Sequence, residues 1–269
     1  MTVAARIGPL LPSRLVGALA HAVYPRFEPE LARLADFCPA GCDTALDVGG
    51  WYGPWSRRLA GRARRVIAVE PVPHLARALD AATPHNVHVV QAAASDRSGT
   101  ARLWLPSGDR GERGVSSLVR RDIHAKALEV PCLTLDALRL RKGGRVDFIK
   151  IDVDGNELPV LRGAAELLGR DRPALIVELE ARIQPTTPVV NLLTSHGYRG
   201  WVLPEQAWVP LDDFDLGAHQ ASTAHVVQRG LLRRVLPFKG PRYVNSVLFL
   251  ADGKRPGARA VRDHGAHAR

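Results

Sequence analysis

Cysteine is scarce in this 269-residue chain, which has only Cys38, Cys42 and Cys132. An odd count without repeated spacing excludes a disulfide framework, and Cys38-x-x-x-Cys42 lacks the second ligand pair of a zinc site. The three read as small buried residues of a reducing compartment. Lysine is scarce too, at five of the 37 basic residues, a skew that reflects a GC-rich genome more often than an arginine chemistry. Aromatic residues make up only 6%, which removes the aromatic–basic platform of a single-strand nucleic-acid binder. No apolar run approaches the roughly 18 residues a membrane span needs. Glycine (24) and proline (20) follow no period, which excludes a collagen-like chain.

What remains is ordinary globular material. Hydrophobic residues at 46% and charged residues at 24% supply a full core for one large domain. The net charge is +10, of which the tail 251–269 carries +3 from five basic and two acidic residues. A basic body favours an anionic partner without choosing among a phosphorylated sugar, a membrane surface and nucleic acid. Leu15 to Tyr24 is apolar but interrupted by His21 and lacks a clear cleavage site, so a signal peptide is not expected. The default compartment is the cytoplasm. Residues 1–26 read as an appended helical arm, 27–250 as the domain, and 251–269 as a disordered basic tail.

The domain alternates strand and helix. Short β-branched runs at 44–48, 65–70, 87–92, 146–153 and 174–179 predict strands, and 54–61 and 73–82 predict helices. Leu158, Leu161, Ala165 and Leu168 predict one further helix capped by Asn156, with Pro159 in its first turn. This rhythm implies a doubly wound, mostly parallel α/β sheet. Two lid-like insertions interrupt it. One, 101–135, holds a strand pair (101–105 and 129–133) around a polar loop, and the other, 204–243, is irregular before a last strand at 244–250.

The first loop, Asp47-Val48-Gly49-Gly50-Trp51-Tyr52-Gly53, leaves a strand and enters a helix. Glycines there let backbone pass close under a ligand. The dinucleotide pattern would need glycine at 51 and 54, where Trp51 and Pro54 stand, so a nicotinamide cofactor is disfavoured. Glu70 follows Gly49 by 21 residues and ends the second strand, where a carboxylate can accept both ribose hydroxyls of a nucleoside. Asp96, after Ala94 at the third strand end, is placed to meet an exocyclic amine. Three carboxylates at successive strand ends favour S-adenosylmethionine (SAM). The candidate cofactor residues are Asp47, Gly49, Gly50, Trp51, Gly53, Glu70, Pro71, Ala94, Asp96 and Asp152.

The run Lys150-Ile151-Asp152-Val153-Asp154-Gly155-Asn156-Glu157 is the most specific in the chain. It resembles the KIDVEG-x-E signature of the FkbM-type SAM-dependent methyltransferases, with Asp154 where Glu is usual. Other marks are Asp47-Val48-Gly49, Glu70-Pro71, Ser116-Ser117-Leu118, Leu161-Arg162-Gly163, Pro173–Glu178 and Asn245–Phe249, and the likeness spans roughly 44–202. Gly50-Trp51 stands where the family usually has Ala-Asn. The resemblance implies a class I, Rossmann-like methyltransferase sheet of seven strands. It also implies methyl transfer to a hydroxyl, often on a sugar or polyketide.

A hydroxyl is a poor nucleophile at neutral pH unless a base takes its proton or a metal lowers its pKa. Asp152 and Glu178, at the ends of the fourth and fifth strands, are the candidates for that work. One reading makes Asp152 or Glu178 the base, aided by His124 from the lid. Another has the two hold a divalent cation such as Mg²⁺. In a third, Asp152 orients the cofactor's amino group and Glu178 only ends its strand. Lys150 reads as a structural ion pair. His74, His85 and His88 read as surface residues, while His219 and His225 stand in the second insertion without informative spacing. The expected acceptor is a small molecule or glycan hydroxyl. The stripe Leu15, Val16, Leu19 and Val23 would suit a glycolipid at the inner membrane face. An RNA methyltransferase is the runner-up, and a non-catalytic SAM-binding protein is the third reading.

Overall fold

A computed structural model describes residues 28–107, 116–138, 140, 143–228 and 242–257. The expected helical arm and most of the tail lie outside the described residues. Residues 251–257, read as part of that tail, are placed against the body, with the Gly257 N–H donating to the Asp36 carbonyl at 2.9 Å.

The strands are β1 (Cys42–Val48), β2 (Ala63–Val69), β3 (Val87–Val90), β4 (Ala93–Ala94), β5 (Gly99–Pro106), β6 (His124–Leu133), β7 (Val146–Ile151), β8 (Ala174–Glu178), β9 (Tyr198–Val202), β10 (Val209–Pro210) and β11 (Ser246–Ala251). The helices are α1 (Pro29–Ala32), α2 (Pro54–Ala60), α3 (Pro73–Ala82), α4 (Glu157–Arg162), α5 (Ala165–Arg170), α6 (Thr187–Ser195) and α7 (Leu216–Gln228). Proline in the first turn suits α2 and α3, where its missing N–H has no intrahelical partner.

Among the described residues the main sheet runs β10-β9-β11-β8-β7-β1-β2-β3, eight strands where seven were expected. The eighth is the two-residue β10, which pairs with β9 at the sheet edge. β3, β2, β1, β7 and β8 are mutually parallel, and β11 runs antiparallel between β8 and β9. The inserted strand pair is real and forms a second sheet in the order β4-β6-β5. Helices on both faces bury the central strands twice over, which is why β1, β7 and β8 read as continuous apolar runs.

Alternation along each strand divides the core. Leu46, Val48, Ile149, Ile151, Leu175 and Val177 enter one cluster with α4, α5 and α6, while Ala45, Phe148 and Ile176 enter another with Trp55 and Leu59 of α2. By the same period, Asp47, Lys150 and Glu178 point to the Phe148 side. A third cluster, including Tyr52, Leu75, Leu103 and Val130, packs the small sheet onto the first loop and α3.

The single helix expected after Asn156 is two, broken at Gly163. A Cβ there would sit 2.1 Å from the Ser95 carbonyl oxygen, so glycine permits the close approach at the price of the continuous helix. Asn156 occupies the N-cap position of α4 but makes no cap. Its Nδ2 instead donates to the Ala94 carbonyl at 2.9 Å, tying the helix start to β4. The second insertion, read as irregular, contains the 13-residue α7. Among the described residues no helix is long and apolar enough to cross a membrane.

Candidate active site

An open cleft lies beyond the carboxyl ends of β1, β2 and β7, closed on one side by β4, β5 and residues 116–118. About 610 Å³ of non-atom space lies within it, part of it open solvent. Gly49, Trp51, Glu70, Pro71, Ala94 and Asp152 all line it, six of the ten candidate cofactor residues.

The first loop owes its path to Gly49. Its φ is +81°, and a Cβ would stand 1.9 Å from the Asp152 carbonyl oxygen, so the loop runs directly against the end of β7. Gly49 and Gly50 both donate their N–H to the Val69 carbonyl, at 2.9 and 3.2 Å. Trp51 takes φ +46°, uncommon for a bulky side chain, with its ring edge-on to Tyr52 at 4.9 Å. Glu70 holds this turn from below. Its Oε2 accepts the Trp51 N–H and its Oε1 the Val72 N–H, each at 2.9 Å. Burial pushes its carboxyl up to about 7, against the pull of those two hydrogen bonds.

The other four candidates lie apart from the cleft lining. Asp47 is fully buried beneath the loop, where Oδ2 accepts from Ser56 Oγ and Oδ1 faces Lys150 Nζ at 3.8 Å. Gly50 packs on Leu79, and Gly53 is the left-handed residue that starts α2. Asp96 turns to its neighbours Ser95 and Arg97, each at 3.4 Å, so it stands at the surface and does not line the cleft. His124 is also displaced. It opens β6 as a buried residue whose Nδ1 accepts the Arg121 N–H at 3.0 Å, which shapes the loop before it, and it does not line the cleft.

Asp152 and Glu178 do come together. They share a hydrogen bond, and Asp152 also accepts from Lys150 Nζ at 3.1 Å. Burial alone would raise Asp152, but the ammonium and the two hydrogen bonds outweigh it and hold the carboxyl below its ordinary value. Burial, followed by the neighbouring Asp152 charge, pushes Glu178 well above its own. The two carboxyl groups are therefore unequal, Asp152 the more acidic and Glu178 the one that holds a proton more readily. Asn245 Nδ2 donates to Glu178 from the start of the last strand.

Beside this pair a smaller acidic pocket is lined by Asp154, Gly155, Glu157, Glu178, Glu180, Ile183 and Gln184, and Asp154 lines both spaces. Asp154 has φ +51° and an ion pair with Arg121 at 3.7 Å. Burial and the nearby Asp152 raise its carboxyl well above the usual range. Glu157 accepts the Val153 and Gly155 N–H groups and a hydrogen bond from Gln184, and burial takes it to about 7. Ser117 Oγ donates to the Asp154 carbonyl at 2.7 Å, and Ser117 pairs with Trp104 of β5, which fixes the cleft wall. Ser116 Oγ is buried in that wall and makes no hydrogen bond to the described residues.

Asp152 and Glu178 do not fit a divalent cation. Their inward oxygens are engaged by Lys150, Asn245 and each other. Among the described residues no group of three or more His, Cys, Asp or Glu side chains is placed to hold a metal ion.

The family model described as "Methyltransferase FkbM domain" matches residues 42–199. The chain belongs to the FkbM methyltransferase family. That match covers β1 to the start of β9 and every cleft-lining residue, and it agrees with a class I methyltransferase sheet, whose reversed final strand is β11 here. A comparison with curated proteins found no match. Among solved structures, the FkbM methyltransferase of Methylobacillus flagellatus KT is 14% identical with a TM-score of 0.46, covering 78% of this chain and 43% of that one. This FkbM-family chain thus spans under half the length of that relative. A precorrin-6y C5,15-methyltransferase from Geobacter metallireducens is 12% identical (TM-score 0.45, 82% and 85% covered). The fibrillarin of Aeropyrum pernix, with S-adenosyl-L-methionine natively bound, is 13% identical (TM-score 0.41, 85% and 76% covered).

Sequence reasoning named Ser116–Leu118 only as family marks and did not foresee them as a cleft wall. It read Asn156 as a cap and missed its bond to Ala94. No local pattern signals the latter, because Ala94 lies 62 residues before Asn156.

Proposed function

We propose that this protein is a SAM-dependent O-methyltransferase whose acceptor is a hydroxyl of a sugar or polyketide-type metabolite. The observation that carries this reading is the Asp152–Glu178 pair, which stands where the cofactor cleft adjoins the acidic pocket. The residues present fit the cofactor. Glu70 would take the ribose hydroxyls, Gly49 and Trp51 would pass beneath the nucleoside, Ser116 would offer its hydroxyl, and Asp152 would face the amino acid end. When bound, SAM supplies an electrophilic methyl carbon.

The chain's own part is to hold the acceptor and take its proton. Asp152 carries the pair's negative charge and accepts the proton of the acceptor hydroxyl as the carbon–oxygen bond forms. Glu178, whose carboxyl is raised by burial and by the Asp152 charge, hydrogen-bonds Asp152 and spreads the charge it carries. Buried carboxyl groups in the adjoining pocket suit a polyol, because they accept hydroxyl hydrogen bonds and, when protonated, donate them. A phosphate would find no lysine or arginine among the residues that line that pocket, which sets the polyol reading above an RNA acceptor.

Calorimetric titration of the full chain with SAM and S-adenosylhomocysteine tests the cofactor assignment, with micromolar affinity expected for both. A screen of sugar and polyketide alcohols then tests the acceptor class. Asp152→Asn should abolish turnover while S-adenosylhomocysteine still binds. Full turnover in both Asp152→Asn and Glu178→Gln would remove the carboxylate-base reading.

A further inference from the structure

Lys150 is 4% exposed, and burying an ammonium is costly unless anions surround it. The parallel register sets Lys150 of β7 directly beside Asp47 of β1. Its ammonium has three protons to place. One goes to the Gly49 carbonyl oxygen at 3.0 Å and one to Asp152 Oδ2 at 3.1 Å, and the remaining side faces Asp47 Oδ1 at 3.8 Å. Among the described residues Asp47 Oδ1 has no hydrogen bond of its own. Lys150 therefore joins three separate pieces of the site: the first loop, the end of β1 and the carboxylate of the reacting pair.

The charges around it come from several elements. Asp47 faces it from β1, Asp152 from the end of its own strand, and Glu28 acts from ahead of α1. Glu70, at the end of β2, feels the same cation. Beyond Asp152 stand Glu178 of β8 and Asp154, and Arg121 pairs with Asp154. Lys150 touches Asp152 while Glu178 is held by Asp152 and Asn245, so its charge breaks the symmetry between two otherwise similar carboxyl groups.

We infer that Lys150 is a positioning residue that fixes Asp152 as the charged member of the Asp152–Glu178 pair and locks that carboxylate to the first loop through the Gly49 carbonyl. The orientation of the base and the shape of the cofactor loop are then set by one side chain. The role of Asp152 as base rests on the methyl-transfer reading; its link to Lys150 does not.

The test follows the aspartate carboxyl carbons of the ¹³C-labelled full chain by NMR across a pH titration, with Asp152→Asn assigning the Asp152 signal. In Lys150→Met the Asp152 titration should move up by about one pH unit or more, as expected on losing an opposite charge at this distance. S-adenosylhomocysteine affinity should fall about tenfold, because the Gly49 carbonyl loses a charged donor. If Lys150→Met does not fold, the double variant Lys150→Met/Asp47→Asn removes one charge of each sign and carries the same titration. An Asp152 titration that stays put in a folded variant overturns the inference, whatever the ligand does. A wild-type chain that binds neither SAM nor S-adenosylhomocysteine, yet shows the Asp152 shift, overturns the proposed function and leaves the positioning role standing.

Discussion

Replacing Gly49 with alanine probes the closest approach in the site, and two other glycines divide its cost into parts. Gly49 combines a φ of +81° with a Cβ position 1.9 Å from the Asp152 carbonyl oxygen. Gly41 has a φ of +87° but nothing within 4 Å of its Cβ position, so Gly41→Ala reports the backbone strain alone, about 1–2 kcal/mol. Gly163 has an ordinary φ of −75° but a Cβ position 2.1 Å from the Ser95 carbonyl oxygen, so Gly163→Ala reports the clash alone, about 1–3 kcal/mol as overpacking. Relief at Gly49 is hindered because its own N–H is held by Val69 and the Asp152 N–H by Val48, at 2.9 and 3.0 Å. Gly49→Ala should therefore cost about 2–5 kcal/mol, or roughly 5–15 °C in Tm for a chain of this size. Differential scanning calorimetry of the three variants measures this. Titration with S-adenosylhomocysteine should add a loss of affinity for Gly49→Ala that Gly41→Ala does not show. A Gly49→Ala variant as stable as Gly41→Ala, with unchanged ligand affinity, would refute the tight seating of the loop on β7.

Three further outcomes are expected. Glu70→Ala removes the acceptor for two loop N–H groups and the proposed ribose partner, so S-adenosylhomocysteine affinity should drop by at least about tenfold, as read by calorimetry. Glu70 and Glu157 have carboxyl pKa values raised from 4.5 to about 7 in the folded chain, so the fold binds protons that the unfolded chain releases. The stability this contributes is complete below the unfolded value and is lost as pH rises through about 7. Urea midpoints should fall between pH 5 and pH 8, more shallowly in Glu157→Gln, and a rise would contradict the assignment. Finally, Cys38, Cys42 and Cys132 are all free and buried, so Ellman's reagent should detect no rapidly reacting thiol in the native chain and all three in denaturant.

The central strands were legible because burial on both faces leaves short β-branched runs that nothing else in the chain imitates. Helix α3 was legible from its apolar stripe and its opening proline. Strand β9 was not, since Tyr198-Arg199-Gly200-Trp201-Val202 carries a charge and a glycine. The structure explains the glycine, because a Cβ at Gly200 would lie 2.8–2.9 Å from Leu211. Helix α7 was hidden by His219, Gln220, Ser222, Thr223 and His225, which leave no apolar face to see. In the site, Glu70 and Asp152 could be read from their places at strand ends. Asp96 and His124 could not, since strand ends locate a loop without giving the direction its side chains take. The pairing of Lys150 with Asp47 needed the register between β1 and β7, which no local pattern contains.

The position of β11 bears on how the chain reaches this state. The strand wedged between β8 and β9 is the last of the described strands to be synthesised, and until Ser246–Ala251 emerges from the ribosome those two strands have no common neighbour. Each exposes an open edge during that interval, which invites intermolecular pairing. The carboxyl pair shares this delay, because Glu178, the partner of Asp152, pairs with Ser246 and receives its Asn245 hydrogen bond only when β11 docks. Nascent chains stalled before Ser246 should therefore be prone to aggregate and lack a finished site, which makes closure of the sheet the late, non-local step of folding.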